Sequence, residues 1–163
     1  MSKAPSQLAL NSSEERAWRA LMRLTVVLPR VIDEDLRNDS ALQLTSHGVL
    51  LHLAESPERQ MRMSDLADCT AMSPSRITRV VQSLSAEGLV EQTACPGDGR
   101  SSMATITDAG LARLRAATPA HLRSLRARAL DHIEPSRIAD FADELAALLE
   151  GIESHAAESH PAG

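Results

Sequence analysis

SDLADCTAMSPSRITRVVQSLSAEGLVEQTACPGDGRSSMATIT, residues 64–107, contains two helical patterns followed by two strand patterns. The first helical pattern begins with Ser64 as its N-cap and ends near Ala71. The second has Ser73 as its N-cap and Pro74 at the first helical position, and Gly88 ends it. Two short helices joined by a tight turn predict a helix-turn-helix.

The residues after Gly88 predict a β-hairpin. Residues 89–95 and 102–107 are rich in β-type side chains, and Pro96-Gly-Asp-Gly-Arg100 between them is a turn cluster. A hairpin directly after a helix-turn-helix makes a winged helix. We therefore expect a mainly α (α+β) protein, with the winged helix spanning about residues 44–107.

Amphipathic helices flank this unit on both sides. Ser12 and Glu15 fit a capping box for a first helix over about residues 13–38, and Thr45 is a plausible N-cap for the next helix. Thr107-Asp108 begins a long helical region that extends to about residue 153, with Pro135 starting its last helix. Its apolar stripe is predicted to include Leu122. Helices with an apolar face need a partner, and a second copy in a two-fold dimer is the simplest one.

The domain boundaries follow from these patterns. Residues 12–153 form one domain, and small polar residues predict disordered tails at 1–11 and 154–163. The N-terminal residues MSKAPSQLALNSSEER contain no apolar core of a secretory signal, and no apolar run approaches the ~20 residues that span a bilayer. Two cysteines form no disulfide framework, so we expect a cytoplasmic protein that does not bind membranes.

Composition and charge narrow the possible partners. Aromatic residues make up 1% of the chain, which disfavours a base-stacking platform for single strands. The net charge is −5, but residues 131–163 contain eight acidic side chains and one Arg, whereas residues 1–130 have 16 basic and 14 acidic ones. Because binding depends on local charge, a surface for double-stranded DNA is allowed outside the C-terminal fifth.

These segments together resemble the MarR family of bacterial transcription regulators. The match includes residues 72–91, which end in a Leu-x-x-x-Gly-Leu-Val pattern, and Asp98-Gly-Arg100 followed by Thr105-Ile-Thr107, which is similar to the family's wing motif. It covers roughly residues 14–153. The chain departs from the family pattern at Gln92, where Arg is frequent, and at Ile106, where Leu is usual.

The second helix of the motif holds the first candidate DNA contacts. Arg76 and Arg79 can each make two hydrogen bonds to guanine, while hydroxyl groups can bond phosphates or base edges. No acidic residue lies between Asp68 and Glu87, and the helix N-terminus favours an anion. The candidate hydroxyl side chains are those of Ser73, Ser75 and Thr78.

The hairpin and the preceding short helix hold the others. Arg100 is predicted at the hairpin tip, where a cation can enter a narrow minor groove, and Asp98 is expected to orient it. Ser64 is a further phosphate candidate as the cap of its helix, with Arg62 beside it.

The resemblance implies a homodimeric, sequence-specific regulator, most often a repressor, that binds a pseudo-palindromic operator. It also implies a small anionic aromatic effector that releases DNA. The alternatives are a winged-helix protein-interaction module, since residues 61–107 have four Arg against five acidic residues, and a thiol- or metal-responsive form of the regulator.

Other chemistry has weaker support in the sequence. The arginine run of residues 113–128 is expected to be a solvated face that pairs with the acidic last helix, or else part of an anion-binding field. Cys69 is predicted to be buried and Cys95 exposed. The spacing of the six histidines predicts no metal site, so we expect neither a metal nor a cofactor. No catalytic motif is present, and an enzyme is therefore not expected.

Overall fold

The computed structural model describes residues 9–95 and 98–159, with side chains described for residues 9–94 and 102–155. The predicted tail over residues 1–8 and 160–163 lies outside this part of the chain. The contacts divide the chain into two compact units that meet in sequence between Leu125 and Arg126. The helices are α1 Ser12–Ser40, α2 Leu44–Glu55, α3 Met63–Cys69, α4 Pro74–Ala86, α5 Asp108–Arg128 and α6 Ile138–Ser159.

The N-cap of α1 lies one residue before the predicted one. Asn11 is the N-cap, and its side chain accepts hydrogen bonds from the amides of Ser13 and Glu14, while the Glu14 carboxylate accepts one from the Asn11 amide. The prediction of a box from Ser12 to Glu15 is therefore wrong by one residue. Asn–x–x–Glu bonds the same unpaired amides of the first turn as Ser–x–x–Glu does, so the sequence is compatible with either cap.

Helix α2 is capped from another helix. Gln43 is its N-cap residue and makes no side-chain cap, so the prediction of Thr45 as the cap is wrong. Instead the carboxylate of Asp33, in α1, accepts a hydrogen bond of 2.8 Å from the amide of Leu44. The end of α1 and the start of α2 are thereby joined.

The helix-turn-helix consists of α3 and α4. Helix α3 begins at Met63, so Ser64 lies inside the helix and the prediction of Ser64 as its cap is wrong. The turn contains Ala71 at a φ of 50°, and α4 follows with Ser73 as N-cap and Pro74 in its first turn, as predicted. Helix α4 ends at Ala86, and Gly88, at a φ of 72°, lets the chain turn into the hairpin.

The wing is part of a three-stranded antiparallel sheet with the order β1-β3-β2. Strands β2 (Val90–Cys95) and β3 (Asp98–Ile106) form the predicted hairpin. Strand β1 (Gln60–Arg62) was not predicted, because three residues are too few to show a strand pattern. It pairs with β3, with Arg62 opposite Met103, and connects the hairpin to the start of α3.

One aliphatic core holds these elements together. It is formed where α2 packs against α1, α3, α4 and the sheet, and its fully buried side chains are all aliphatic. Burial of such a side chain contributes about 1.5–3 kcal/mol. The largest of them are Leu36, Leu50, Leu53, Leu66, Ile77 and Leu84.

The first turn of α5 is fixed to the end of the helix-turn-helix. The Thr107 hydroxyl donates to the Gly88 carbonyl oxygen at 2.8 Å and accepts from the Gly110 amide at 3.0 Å, which confirms the predicted cap. The buried stripe of α5 continues with Leu114 and Ala117 to Ser124. Leu122 is 51% exposed, so its predicted place on the buried stripe is wrong.

The second unit contains two short 3-10 turns, Leu130–His132 and Pro135–Arg137, followed by α6. Pro135 begins this last helical segment, as predicted. The helix reaches Ser159, whereas the sequence placed the ordered end at residue 153. The additional residues contain two alanines, and no Gly or Pro interrupts them before Pro161.

Candidate nucleic-acid interface

One face of α4 is buried and the other is open. Ile77, Val81 and Leu84 pack into the core. Their spacing leaves the other side of the helix exposed. Apart from Pro74, the exposed side chains from Ser73 to Ser83 are polar or basic. Helix α4 is therefore held rigidly while a polar surface points to solvent.

The sequence-predicted residues of α4 are mostly on this open face. Ser73, Ser75, Arg76 and Arg79 are exposed. The Nε of Arg79 donates to the Ser75 carbonyl oxygen at 3.3 Å, which leaves the two terminal nitrogens of its guanidinium group for other acceptors. Thr78 is half-buried, and its hydroxyl donates to the Pro74 carbonyl oxygen at 2.8 Å. Thr78 therefore has less access to a ligand than the other four.

The N-terminus of α4 is suited to an anion. Ser73 makes no side-chain cap, and the first turn contains no acidic residue. The hydroxyls of Ser73 and Ser75 lie 3.3 Å apart beside the amides of this turn. The positive end of the helix dipole is therefore not neutralised by the helix itself.

Gln82 lies on the same open face and was not among the predicted residues. It follows Arg79 by three positions and is exposed. Residues three apart are neighbours on a helix surface, so the spacing of Gln82 from Arg79 could have identified Gln82 from the sequence. A side-chain amide can make two hydrogen bonds to adenine in the major groove.

The predicted contacts on α3 are less well placed. Ser64 is exposed, but its hydroxyl donates to the carboxylate of Asp65 at 3.0 Å. A carboxylate beside the hydroxyl opposes the approach of a phosphate. Arg62 is exposed at the end of β1.

The wing residues are described by their backbone. Asp98 and Arg100 both lie in β3, so the strand begins inside the segment that was predicted as a turn, residues 96–100. Their side chains, and that of Cys95, lie outside the described part of the structure. Gln92, which replaces the family's frequent Arg, donates from its side-chain amide to the Ser102 hydroxyl at 3.1 Å and ties the two hairpin strands together.

The arginines of α5 contact α1 within the first unit. Arg113 donates to the Ala41 carbonyl oxygen at 3.0 Å, and Arg123 pairs with Asp39 at 3.1 Å. The prediction that these arginines pair with the last helix is therefore wrong for Arg113 and Arg123, because the C-terminal end of α1 supplies their acceptors.

Two histidines form a buried contact that the sequence did not show. The rings of His47 in α2 and His121 in α5 are 4.4 Å apart between centroids, and neither His47 Nε2 nor His121 Nδ1 has a hydrogen-bond partner. Burial, with a smaller contribution from the charge of the neighbouring His121, lowers the pKa of His47 to about 4. Burial also lowers the pKa of His121. Both rings are therefore neutral at pH 7.

The remaining metal and thiol candidates are isolated. Within the described residues, no group of three or more His, Cys, Asp or Glu side chains is placed to hold a metal ion. Cys69 is exposed, so its predicted burial is wrong: the buried face of α3 is formed by Leu66 and Ala67. Its thiol donates to the Asp65 carbonyl oxygen at 3.0 Å.

A search of the described helices finds none with the length and hydropathy needed to cross a membrane.

Comparisons with known proteins agree with this architecture. Residues 42–101 match the family model described as MarR family. Sco3205, a MarR family transcriptional regulator from Streptomyces coelicolor crystallised in complex with DNA, is 30% identical and has a TM-score of 0.80, with 88% of this chain and 90% of that chain covered. AbsC, another MarR family regulator from Streptomyces coelicolor, is 29% identical with a TM-score of 0.79, covering 90% of this chain and 98% of that chain.

A more distant structure shares the fold alone. CouR from Rhodococcus jostii RHA1, crystallised with p-coumaroyl-CoA, is 21% identical with a TM-score of 0.69, covering 86% of this chain and 95% of that chain. A comparison with curated proteins gave no significant match. The family's regulators are not enzymes, as the sequence led us to expect. The identity and coverage of the Sco3205 match, together with the winged helix and its flanking helices, show that this chain belongs to the MarR family of transcriptional regulators.

Proposed function

We propose that this protein is a homodimeric repressor that binds double-stranded DNA in a sequence-specific manner. The observation that carries the proposal is the open face of α4, which presents two arginines and two serines with no acidic residue between Ser73 and Ala86. A relative with 30% identity, Sco3205, was crystallised with DNA, which supports the same role for this chain.

Helix α4 is the proposed reading element in the major groove. Arg76, Arg79 and Gln82 would contact base edges, because guanidinium and amide groups match guanine and adenine there. Ser73 and Ser75, at the positive end of the helix, would hold a phosphate. Thr78 and Ser64 have their hydroxyls engaged within the protein and would contribute less.

The wing is the proposed second contact. Arg100 would enter the minor groove beside the site of α4, and Asp98 would orient its guanidinium group. The hydrogen bond from Gln92 to Ser102 stiffens the hairpin that presents them. Minor-groove width varies with sequence, so this contact adds preference without reading bases directly.

Dimerisation is supported by two exposed apolar surfaces. Trp18, Met22 and Val26 are exposed on the N-terminal half of α1, and a run of large apolar side chains is exposed along α6. Contiguous apolar surface of this kind marks an interface. A two-fold dimer would recognise a pseudo-palindromic operator with half-sites about 10 bp apart.

A small anionic aromatic effector would relieve repression by binding more tightly to the form of the dimer that does not fit the operator. The same fold accommodates a ligand in CouR, which was crystallised with p-coumaroyl-CoA. Screening such compounds for release of the operator complex tests this part of the proposal.

The decisive experiment is fluorescence anisotropy at about 150 mM salt with DNA from immediately upstream of the gene and with an unrelated duplex. We expect about a thousandfold preference for the cognate duplex. Arg79→Ala should lower that preference by about tenfold, or about 1.4 kcal/mol, which lies within the range of about 1–3 kcal/mol for one base contact. Arg23→Ala on α1 removes the same charge away from α4 and should leave the preference unchanged.

Equal weak binding of both duplexes, unaltered by Arg79→Ala, would refute readout of this operator region by α4. A genomic selection with the same protein would then separate a distant operator from the second candidate, a protein-interaction module. The observation that favours this module is the nearly balanced charge of residues 61–107, which contain four Arg and five acidic residues.

A further inference from the structure

The hairpin of the wing changes its register near the tip. Strands β2 and β3 pair regularly as far as Ala94, which lies opposite Ser102, whereas the next residue of β2 lies opposite Asp98. The register thus skips residues 99–101 of β3, which form a bulge. Arg100, the proposed minor-groove contact, lies in the middle of this bulge. Because a bulge bends its strand and redirects the side chains beside it, the placement of Arg100 depends on how the chain is held where the bulge begins.

Ser102 is the residue of β3 at which the regular ladder meets the bulge. It is half-buried, and its hydroxyl accepts a hydrogen bond of 3.1 Å from the side-chain amide of Gln92. Gln92 lies opposite Ala104, so Gln92 and Ser102 are diagonal neighbours on one face of the hairpin. The bond therefore ties the residue next to the bulge to the adjacent strand.

The same face of the hairpin packs on the core closer to its base. On β3, Ala104 and Ile106 alternate with Ser102 and are buried. On β2, Gln92 and Ala94 are exposed, so the core ends before the bulge begins. Apolar packing thus fixes the base of the hairpin, and the Gln92–Ser102 bond is a side-chain contact that extends this fixation to the edge of the bulge.

We infer that Gln92 and Ser102 are positioning residues of the wing, which hold the start of the bulge and thereby the place of Arg100 in the minor groove. The inference rests on the proposed function, because it assigns how the proposed wing contact is held. A looser hairpin would lose more conformational freedom when Arg100 binds, so the contact would be weaker. Gln92 has no charge, so the pair acts on operator preference and not on the salt dependence of binding.

The first test needs no DNA. Hydrogen exchange of the hairpin amides is measured for the full-length protein and for Gln92→Met, which keeps the length of the side chain and removes its donor. Exchange at residues 102–104 should become about fivefold faster, or about 1 kcal/mol, as for the loss of one hydrogen bond. Ser102→Ala should have the same effect, whereas Ser102→Thr keeps the hydroxyl and should exchange as the wild type does. Thr93→Val, on the other face of β2, is the matched control.

The second test measures fluorescence anisotropy with the operator and an unrelated duplex. Gln92→Met and Ser102→Ala should each lower the operator preference by about fivefold, and the double variant by no more than either one, because the two side chains share one bond. In the background of Arg100→Ala, neither change should have a further effect. Arg100→Ala alone should lower the salt slope by about one, and Gln92→Met should leave it unchanged.

Direct contact of Gln92 with DNA would give a different pattern. Gln92→Met would then lower the preference more than Ser102→Ala does, and would still lower it in the absence of the Arg100 side chain. That result overturns the inference, as does hydrogen exchange that is unchanged in both variants. A wild-type protein without operator preference would refute the proposed function and with it the role of the pair in binding, while the exchange rates would still establish whether the pair fixes the hairpin.

Discussion

Gly110 lies too close to its neighbours to accept a Cβ atom. A Cβ atom there would overlap the Leu89 carbonyl oxygen and lie 2.7 Å from Ile106 Cγ1. The first of these neighbours is backbone between the end of α4 and the start of β2, so it cannot move without displacing the hairpin. The position therefore explains a glycine in the first turn of a helix, where glycine otherwise destabilises.

Gly110→Ala should lower the free energy of unfolding by roughly 3 kcal/mol, the upper range for overpacking. Gly48→Ala in α2 is the matched control, because its Cβ would meet no atom within 4 Å. That change should raise the stability by up to about 1 kcal/mol through helix propensity. Urea denaturation of both variants measures the difference, and equal effects would contradict the close packing at Gly110.

The His47–His121 contact makes stability depend on pH. Burial lowers the pKa of His47 to about 4, whereas the unfolded chain protonates near the ordinary value of 6.5. The unfolded state therefore binds more protons between these values, and the stabilisation is complete above pH 6.5 and is lost as the pH falls toward 4. From pH 7.5 to pH 5 this group alone should cost about 2 kcal/mol.

The measurement is urea denaturation at pH 7.5 and pH 5 for the wild type and for His47→Gln. The wild type should lose about 2 kcal/mol more than the variant over this interval. The comparison is made within each protein, so a lower starting stability of the variant does not affect it. Equal losses would show that His47 does not carry this pH dependence.

At the scale of one element, the cap of α1 distinguishes the structure from the sequence-based prediction. Asn11→Ala removes the side chain that accepts two amide hydrogen bonds and should destabilise the helix by about 1 kcal/mol. Ser12→Ala, at the predicted cap, should be nearly neutral. Hydrogen exchange of the first-turn amides, faster in the first variant only, would show this, and the reverse order would restore the Ser12 cap.

The elements that could be predicted are those with strong local signals. The Ser73-Pro74 start of α4, the break after it at Gly88 and the two hairpin strands are each marked by turn and cap residues in the sequence. Strand β1 has no such signal, because it pairs with β3, more than forty residues later. Likewise, the Asp33 cap on α2 joins residues eleven positions apart, and such a tertiary hydrogen bond leaves no periodic pattern.

The same limit applies to the candidate site. The serines and arginines of α4 were predictable because acidic residues are absent around them, and Gln82 was recoverable from helical spacing. The hydrogen bond between Gln92 and Ser102 was not, because it depends on the register of the two strands. The burial of His47 against His121 is a similar case, since the two residues meet only when α5 packs on α2.

At the scale of the whole molecule, the apolar surface of α6 predicts self-association. Phe141, Leu145, Leu148 and Ile152 are exposed at helical spacing, close to one face. Leaving such a stripe in water is unfavourable by about 25 cal/mol for each Å². A second copy of the chain that covers it would recover this energy.

The double substitution Leu145→Glu with Leu148→Glu should convert a dimer into a monomer in sedimentation equilibrium. Ala147→Glu lies on the charged side of the same helix, with Asp143 and Glu150, and should remain dimeric. Circular dichroism of the variants shows whether the helix itself is retained. A wild-type protein that sediments as a monomer at micromolar concentration would contradict the dimer.

The hydroxyl of Thr107 has a mechanical consequence. By bonding both Gly88 and Gly110, it joins the end of α4 to the first turn of α5, so that the two elements move together. From Asp108 to Leu125, α5 is about 27 Å long, so a rotation of the two joined elements by about 10° moves its distal end through about 5 Å. Conversely, a displacement of that size at the distal end of α5 rotates the open face of α4 by the same angle. The orientation of the proposed DNA-reading helix can thus be set from the distal end of α5.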